Sequence, residues 1–267
     1  MRSHPDSESL IATAHALADA ARHATLAHFR TARLGVEDKG AAGFDPVTAA
    51  DRQAEAVMRE ILAERRPEDG VLGEEMGTVA GQSGLTWVLD PIDGTRGFLS
   101  GTPTWGVLVA VSDAGGPLFG IIDQPYIGER FEGGLGRARL SGPRGACALR
   151  ARAPRPLSEA VLFTTFPEVG TPAEGAAFGA LSARARLTRY GLDCYAYALV
   201  ALGQIDLVVE AGLHPYDIHA PIAVIEAAGG IVTDWQGGRA HRGGRVIAAA
   251  NADIHAEALE VLRAAHL

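Results

Sequence analysis

Trp87-Val88-Leu89-Asp90-Pro91-Ile92-Asp93-Gly94-Thr95 is the stretch whose reading decides the fold. Trp, Val and Leu in succession suit a short strand with both faces covered. Asp90-Pro91 is expected to stop that strand. Proline has no donor for the ladder, and the residue before it is pushed out of the helical region. Gly94 lets the backbone approach a neighbour closely, and Thr95 can cap a helix that follows. A strand that delivers Asp, a backbone carbonyl and Asp into one turn builds a hard-oxygen pocket suited to Mg²⁺. Free amides at Gly94 and Thr95, at a helix start, could hold a phosphate beside it. An Asx turn with solvated carboxylates fits the same residues. The choice depends on the rest of the chain.

The 267 residues allow one large or two small domains. With 47% hydrophobic and 21% charged residues the chain can bury a sizeable core and is not disordered. A net charge of −8 and a pI near 5.6 argue against a nucleic-acid-binding surface and for an acidic site that needs cations. Cys147 and Cys194 have no metal-binding spacing and make no disulfide framework; both read as small, partly buried side chains in a reducing compartment. No apolar run is long enough to cross a bilayer, and residues 1–6 lack the pattern of a signal peptide, so a cytoplasmic location is expected.

Residues 10–29 have helical periodicity, with Leu10, Ala14, Leu17, Ala21 and Ala24 on one stripe. Residues 35–43 form a polar, glycine-containing loop, readable as a flap over a site or as a plain connector. A second helix is expected over 48–65, with Thr48 and Asp51 as a capping box. A strand at 71–72 leads into Gly73-Glu74-Glu75. Strands over 105–112 and 118–123 flank a turn at 113–116, and 129–140 reads as a hairpin turning at Gly133-Gly134. The half over 1–152 is therefore expected to carry a meandering antiparallel sheet. Beyond Ala153-Pro154-Arg155-Pro156, strands and helices alternate over 153–267, which argues for a layered α/β half.

Carboxylates recur where elements meet. Glu74 follows a strand, Asp51 lies in the first turn of the second helix, and Asp217 comes just before a helix expected over 218–228. Singly, Asp51 and Asp217 read equally well as acids that favour a helix N-terminus. Taken together, Gly73-Glu74-Glu75, Asp90-Pro91-Ile92-Asp93-Gly94-Thr95 and Tyr216-Asp217 resemble the signature of the inositol monophosphatase superfamily, over most of the chain. The resemblance implies a single catalytic unit built as an α-β-α-β-α sandwich, usually a homodimer, with Mg²⁺-dependent, Li⁺-sensitive phosphomonoesterase activity on a small molecule. It implies that Glu74, Asp90, the Ile92 carbonyl, Asp93 and Asp217 hold two or three Mg²⁺ ions. Asp51, Glu74 and Thr95 would orient and deprotonate water, and Gly94 and Thr95 would donate amides to the phosphate. Such an arrangement suits the attack of water on a dianionic ester.

The segments 122–130, 190–197, 204–218 and 231–235 are similar to the histidinol-phosphate phosphatase branch. In that branch Asp193 and Glu210 would face the organic half of the substrate, beside Asp217. Carboxylates there would attract the ammonium and imidazole of histidinol. Without the resemblance, Asp193 reads as a helix cap and Glu210 as an exposed strand-end acid. An inositol-1-phosphate or broad sugar-phosphate phosphatase is the alternative reading, and a catalytically silent metal-binding module a further one. The sequence departs from the wider family at Tyr216, where Trp is frequent, and at His219 and Pro221. His214 and His219 read as wall or structural residues, because the other expected ligands are oxygens that suit Mg²⁺. Arginines 137, 139, 144, 150, 152 and 155 read as a solvated hairpin edge protected against pairing.

Overall fold

The computed structural model describes residues 4–31, 36–38 and 46–264. In chain order these are α1 (Ser7–Leu26), β1 (Val36–Asp38), β2 (Pro46–Thr48), α2 (Ala49–Arg65), β3 (Gly70–Gly73), β4 (Gly77–Val79), β5 (Thr86–Asp93) and α3 (Thr95–Ser100). There follow β6 (Gly106–Asp113), β7 (Gly116–Gln124), β8 (Glu129–Gly134), β9 (Arg137–Gly142), β10 (Gly145–Ala148), β11 (Val161–Thr164), α4 (Pro172–Ser182) and β12 (Leu187–Tyr190). The chain continues through α5 (Cys194–Ala201), β13 (Leu207–Leu213), α6 (Pro215–Ala227), β14 (Ile231–Asp234), β15 (Gly244–Ala249) and α7 (Ala252–Ala264). Of the loop expected over 35–43, residues 36–38 form a strand paired with β2. The rest of it lies outside the described residues.

Two mixed sheets organise the chain. One has eight strands in the order β10-β9-β8-β7-β6-β5-β3-β4, antiparallel throughout except between β3 and β5. The other has five, in the order β12-β11-β13-β15-β14. The period-2 alternation of β5 shows how the layers form. Trp87 and Leu89 point to one face of the large sheet, where they pack with Leu10, Leu17, Met58 and Leu62 of α1 and α2. Val88 points to the other, into a core shared with α5, α6 and Val208, Val246 and Ala248 of the small sheet. Leu207, Val209 and Ile247 on the far face of the small sheet meet Phe178 of α4 and Leu259 of α7. The stack is therefore α-β-α-β-α, as the resemblance implied.

Four local expectations change. Pro91 does not end β5. The strand continues to Asp93 through a register shift between Asp90 and Asp93, with β6 on one side and β3 already finished on the other. A proline is tolerated there because the ladder is interrupted at the bulge. The β8–β9 hairpin turns at Leu135-Gly136, not at Gly133-Gly134. α6 begins at Pro215, so Asp217 lies inside its first turn rather than before it. Cys147 is exposed on the edge strand, and only Cys194 is buried.

Gly133 has another use. It pairs with Gly120 of β7, and the two make a shallow trough against which the backbone of α6 lies. A Cβ on Gly133 would collide with Val224, and one on Gly120 would come 2.7 Å from the Ala220 carbonyl. This close approach sets the height of α6 on the large sheet, and α6 carries Asp217. Gly133→Ala is expected to lower stability by about 1–3 kcal/mol through overpacking, measured by denaturant unfolding.

Candidate active site

The end of β5, the turn after β3 and the first turns of α5 and α6 meet at one cleft of about 320 Å³. Glu74, Asp93, Gly94, Thr95, Asp193, Glu210 and Asp217 all line it. Asp90 lies directly behind. Oxygens of Asp90, Asp93 and Asp217 come within 4.8 Å of one another, and the Glu74 carboxyl is in hydrogen-bond contact with Asp90. Three of the four reach this place by two means. The bulge in β5 brings Asp90 and Asp93 to the same end of the sheet, and Asp90 accepts the Ile92 N–H at 3.0 Å. Asp217 is the third residue of α6; its carboxylate accepts the His214 N–H at 2.6 Å, and its own N–H donates to the His214 carbonyl at 3.2 Å.

Gly94 adopts φ +86°, a left-handed conformation open to glycine at no steric cost. A Cβ there would also come 2.7 Å from the Asp193 carboxyl carbon, so Asp193 packs directly on the turn that follows Asp93. Thr95 is the first residue of α3 and not its cap. Its hydroxyl donates to the Ile92 carbonyl at 3.1 Å and lies 3.5 Å from Asp51. Asp51 is fully buried, holds Thr48 in the expected capping box and does not line the cleft; it reaches the site through Thr95.

The organic side of the cleft is also acidic. Asp193 does not cap α5 with its side chain. Gly191, Leu192 and Asp193 all have positive φ (+87°, +82° and +47°), and this strained run aims the Asp193 carboxyl into the cleft. It also turns the Cys194 N–H onto Asp93 at 2.5 Å. Glu210 is inside β13, 7% exposed, and not an exposed strand-end acid. It accepts the Thr165 N–H at 3.0 Å and the Tyr197 hydroxyl at 2.9 Å.

Tyr197, Thr165 and Arg96 were not singled out from the sequence. Tyr197 stands four residues after Asp193, one helical turn, and that spacing was a usable signal. Arg96 adjoins Thr95 and lies 4.8 Å above the Phe166 ring at the rim. Its chain position gave no hint of that stacking. His219 is away from the cleft, bonded to Ser112 and to the His241 carbonyl. His214 stacks on Tyr216 in the cleft wall.

Burial, together with the neighbouring carboxylates Glu74, Asp93 and Asp217, pushes Asp90 well above the usual carboxylate range. Asp93 is raised by burial and by Asp193 and Asp217, against the Cys194 N–H. Burial also raises Asp193 and Asp217 to about 7, with Glu210 adding to both shifts; Arg96 opposes the first and the His214 N–H the second. Buried like charges at this separation favour protonation unless a cation joins them. The donors are all hard oxygens with surplus negative charge, so they fit a divalent cation of the Mg²⁺ type and fit a soft metal poorly.

Residues 6–267 match the profile of the inositol monophosphatase family, and the chain belongs to that family. It is 40% identical over 263 residues to the chloroplastic bifunctional phosphatase IMPL2 of Arabidopsis thaliana, covering 94% of this chain and 74% of the plant protein. It is 35% identical over 267 residues to a histidinol-phosphatase of Streptomyces coelicolor, covering 97% and 98% of the two chains. A solved inositol monophosphatase from Zymomonas mobilis superposes with a TM-score of 0.84 at 38% identity, covering 98% of this chain and 100% of that one. The chain is a phosphoric monoester hydrolase of small-molecule phosphates. Among the described residues, no helix is long and apolar enough to cross a membrane.

The raised carboxylates give a signed pH dependence. An acid whose folded pKa is above its unfolded value stabilises the fold below the unfolded pKa, and that contribution is lost as pH rises through the folded one. For Asp193 and Asp217 the window runs from the ordinary aspartate value of 3.8 to about 7. A bound cation removes this penalty by favouring the ionised forms. The rise in Tm caused by Mg²⁺ is therefore expected to be larger at about pH 8 than at about pH 5.5, read by calorimetry.

Proposed function

We propose that this chain is a Mg²⁺-dependent phosphatase that hydrolyses L-histidinol phosphate to L-histidinol and phosphate, a step of histidine biosynthesis. The observation that carries the substrate is the acidic organic wall, with Asp193 and Glu210 in one cleft beside the acidic cluster. A neutral cyclitol gains little from two buried acids. An ammonium or imidazolium would form charge-assisted hydrogen bonds with them and hold them ionised. The Tyr197 hydroxyl and the Thr165 N–H fix the Glu210 carboxylate, so it meets the ligand already oriented.

Glu74, Asp90, the Ile92 carbonyl, Asp93 and Asp217 would hold Mg²⁺. When bound, the ions would neutralise the phosphate dianion, acidify water and stabilise the leaving alkoxide. The protein's own part is positional. Thr95, set by the Ile92 carbonyl and backed by Asp51, orients the attacking water with Glu74 and passes on its proton. The amides of Gly94 and Thr95 face the phosphate oxygens. The Cys194 N–H keeps Asp93 pointed at the cluster. Both halves of the chain contribute to the cleft, and on this reading they form one catalytic unit.

An inositol-1-phosphatase activity has its own support in the 38% identity to the Zymomonas mobilis inositol monophosphatase. The two are separated by measuring Mg²⁺-dependent phosphate release from histidinol phosphate and from inositol-1-phosphate side by side. The expected result is a clear kcat/KM preference for histidinol phosphate; preference for the inositol ester would overturn the substrate assignment and leave the phosphatase intact. Asp193→Ala is expected to cost histidinol phosphate about 1.5–3 kcal/mol in kcat/KM, the worth of a charged hydrogen bond. It should cost p-nitrophenyl phosphate much less, and equal losses would remove Asp193 from recognition.

A further inference from the structure

We infer that Glu55, on α2, is a positioning residue for Glu74: it fixes the turn that presents this carboxylate to the metal site. The inference rests on the reading of Glu74 as a metal ligand. Glu55 does not line the cleft and lies outside the carboxylate cluster. It acts through the backbone that follows Glu74.

The Glu55 side chain is fully buried. Its two oxygens accept the N–H groups of Glu75 at 2.7 Å and Met76 at 3.1 Å. Arg59, one helical turn on, pairs with the same carboxylate at 2.7 Å and donates to the Gly77 carbonyl at 2.5 Å. The three residues after Glu74 are thus each tied to α2 by one side chain or the other. On its other side, the Glu74 N–H donates to the Leu89 carbonyl of β5 at 3.2 Å. The Cα of Glu74 is therefore held between β5, which carries Asp90 and Asp93, and α2.

Gly73 belongs to the same device. A Cβ on Gly73 would collide with the Glu55 carboxylate. The glycine of Gly73-Glu74-Glu75 is thus required by the clamp and not by the metal. Asp51 and Glu55 are four residues apart and share one face of α2. One backs Thr95, the other holds the turn of Glu74, and a single helix sets the spacing between the water-orienting hydroxyl and the metal-binding carboxylate. A carboxylate is the group that can accept both amides, and Arg59 offsets the cost of burying it. A glutamine would keep the shape, accept one amide and turn an NH₂ towards the other.

The test uses the full chain and Mn²⁺, with free ion counted by electron paramagnetic resonance. Glu55→Gln is expected to weaken Mn²⁺ binding about tenfold, the scale of losing a group that orients a ligand. The Mg²⁺ concentration for half-maximal activity should rise in parallel, while KM for the phosphate ester at saturating Mg²⁺ stays unchanged. A Mn²⁺ affinity within about twofold of the parent would overturn the inference. Arg59→Lys keeps the charge and gives up the Gly77 bond; it should weaken Mn²⁺ binding as well, and it decides the matter if Glu55→Gln does not fold. Glu74→Gln separates the two levels. If it loses Mn²⁺ while Glu55→Gln keeps it, only the positioning role fails. If Glu74→Gln itself binds Mn²⁺ normally, the ligand reading fails and the inference with it.

Discussion

Mutual repulsion among closely packed carboxylates is the constraint around which this structure is arranged. Glu74, Asp90, Asp93 and Asp217 converge on one small volume, and Asp193 and Glu210 line the wall beside it. Left to themselves such groups would move apart or take up protons. Four of them are instead held by a backbone amide, Glu210 by that of Thr165. Asp93 is bound by the Cys194 N–H, Asp217 by the His214 N–H, and Asp90 by the Ile92 N–H. The layered fold supplies the rigidity behind these bonds, since β5, α5 and α6 share one core between the two sheets. A surplus of negative charge built in this way favours cations, and a bound cation would relieve the cost of holding the carboxylates together.

Much of this was legible in the sequence, and the limits have physical causes. The nine residues from Trp87 to Thr95 announce a strand that delivers acids to a turn, because a covered strand and a turn have distinct chemistry. Pro91 misled on where the strand ends: a proline rule assumes a regular ladder, and a bulge suspends it. The glycines at 133 and 134 read as a turn because turns commonly use glycine, whereas Gly133 is needed by a helix from another layer. That demand comes from residues about ninety positions away, and no local pattern contains it. The acids of the site were recognisable by motif. Their anchors were not: Cys194 acts through its amide and Glu55 through two others, and a backbone donor leaves no mark on residue identity.

Glu55 and Arg59 extend the same logic away from the metal site. They are hidden from the cleft, yet from α2 they hold the backbone beyond Glu74 while Asp51, on the same helix, reaches Thr95. A first turn of helix and the turn after it thereby perform two tasks on one rigid rod, and tilting α2 would disturb both together.

The strained run from Gly191 to Asp193 has a consequence for how such a site can change. Its backbone serves the metal side, through the Cys194 amide, while the Asp193 side chain faces the organic side. Identity and conformation at position 193 are thus under separate control. On the proposed assignment, replacing the side chain alters the alcohol that fits, and the acidic cluster keeps its geometry provided the newcomer tolerates a positive φ. At φ +47° and ψ −135° glycine meets that condition most readily, and β-branched residues do not. The paths open to a new substrate at this position are therefore filtered by a torsion angle before they are filtered by binding.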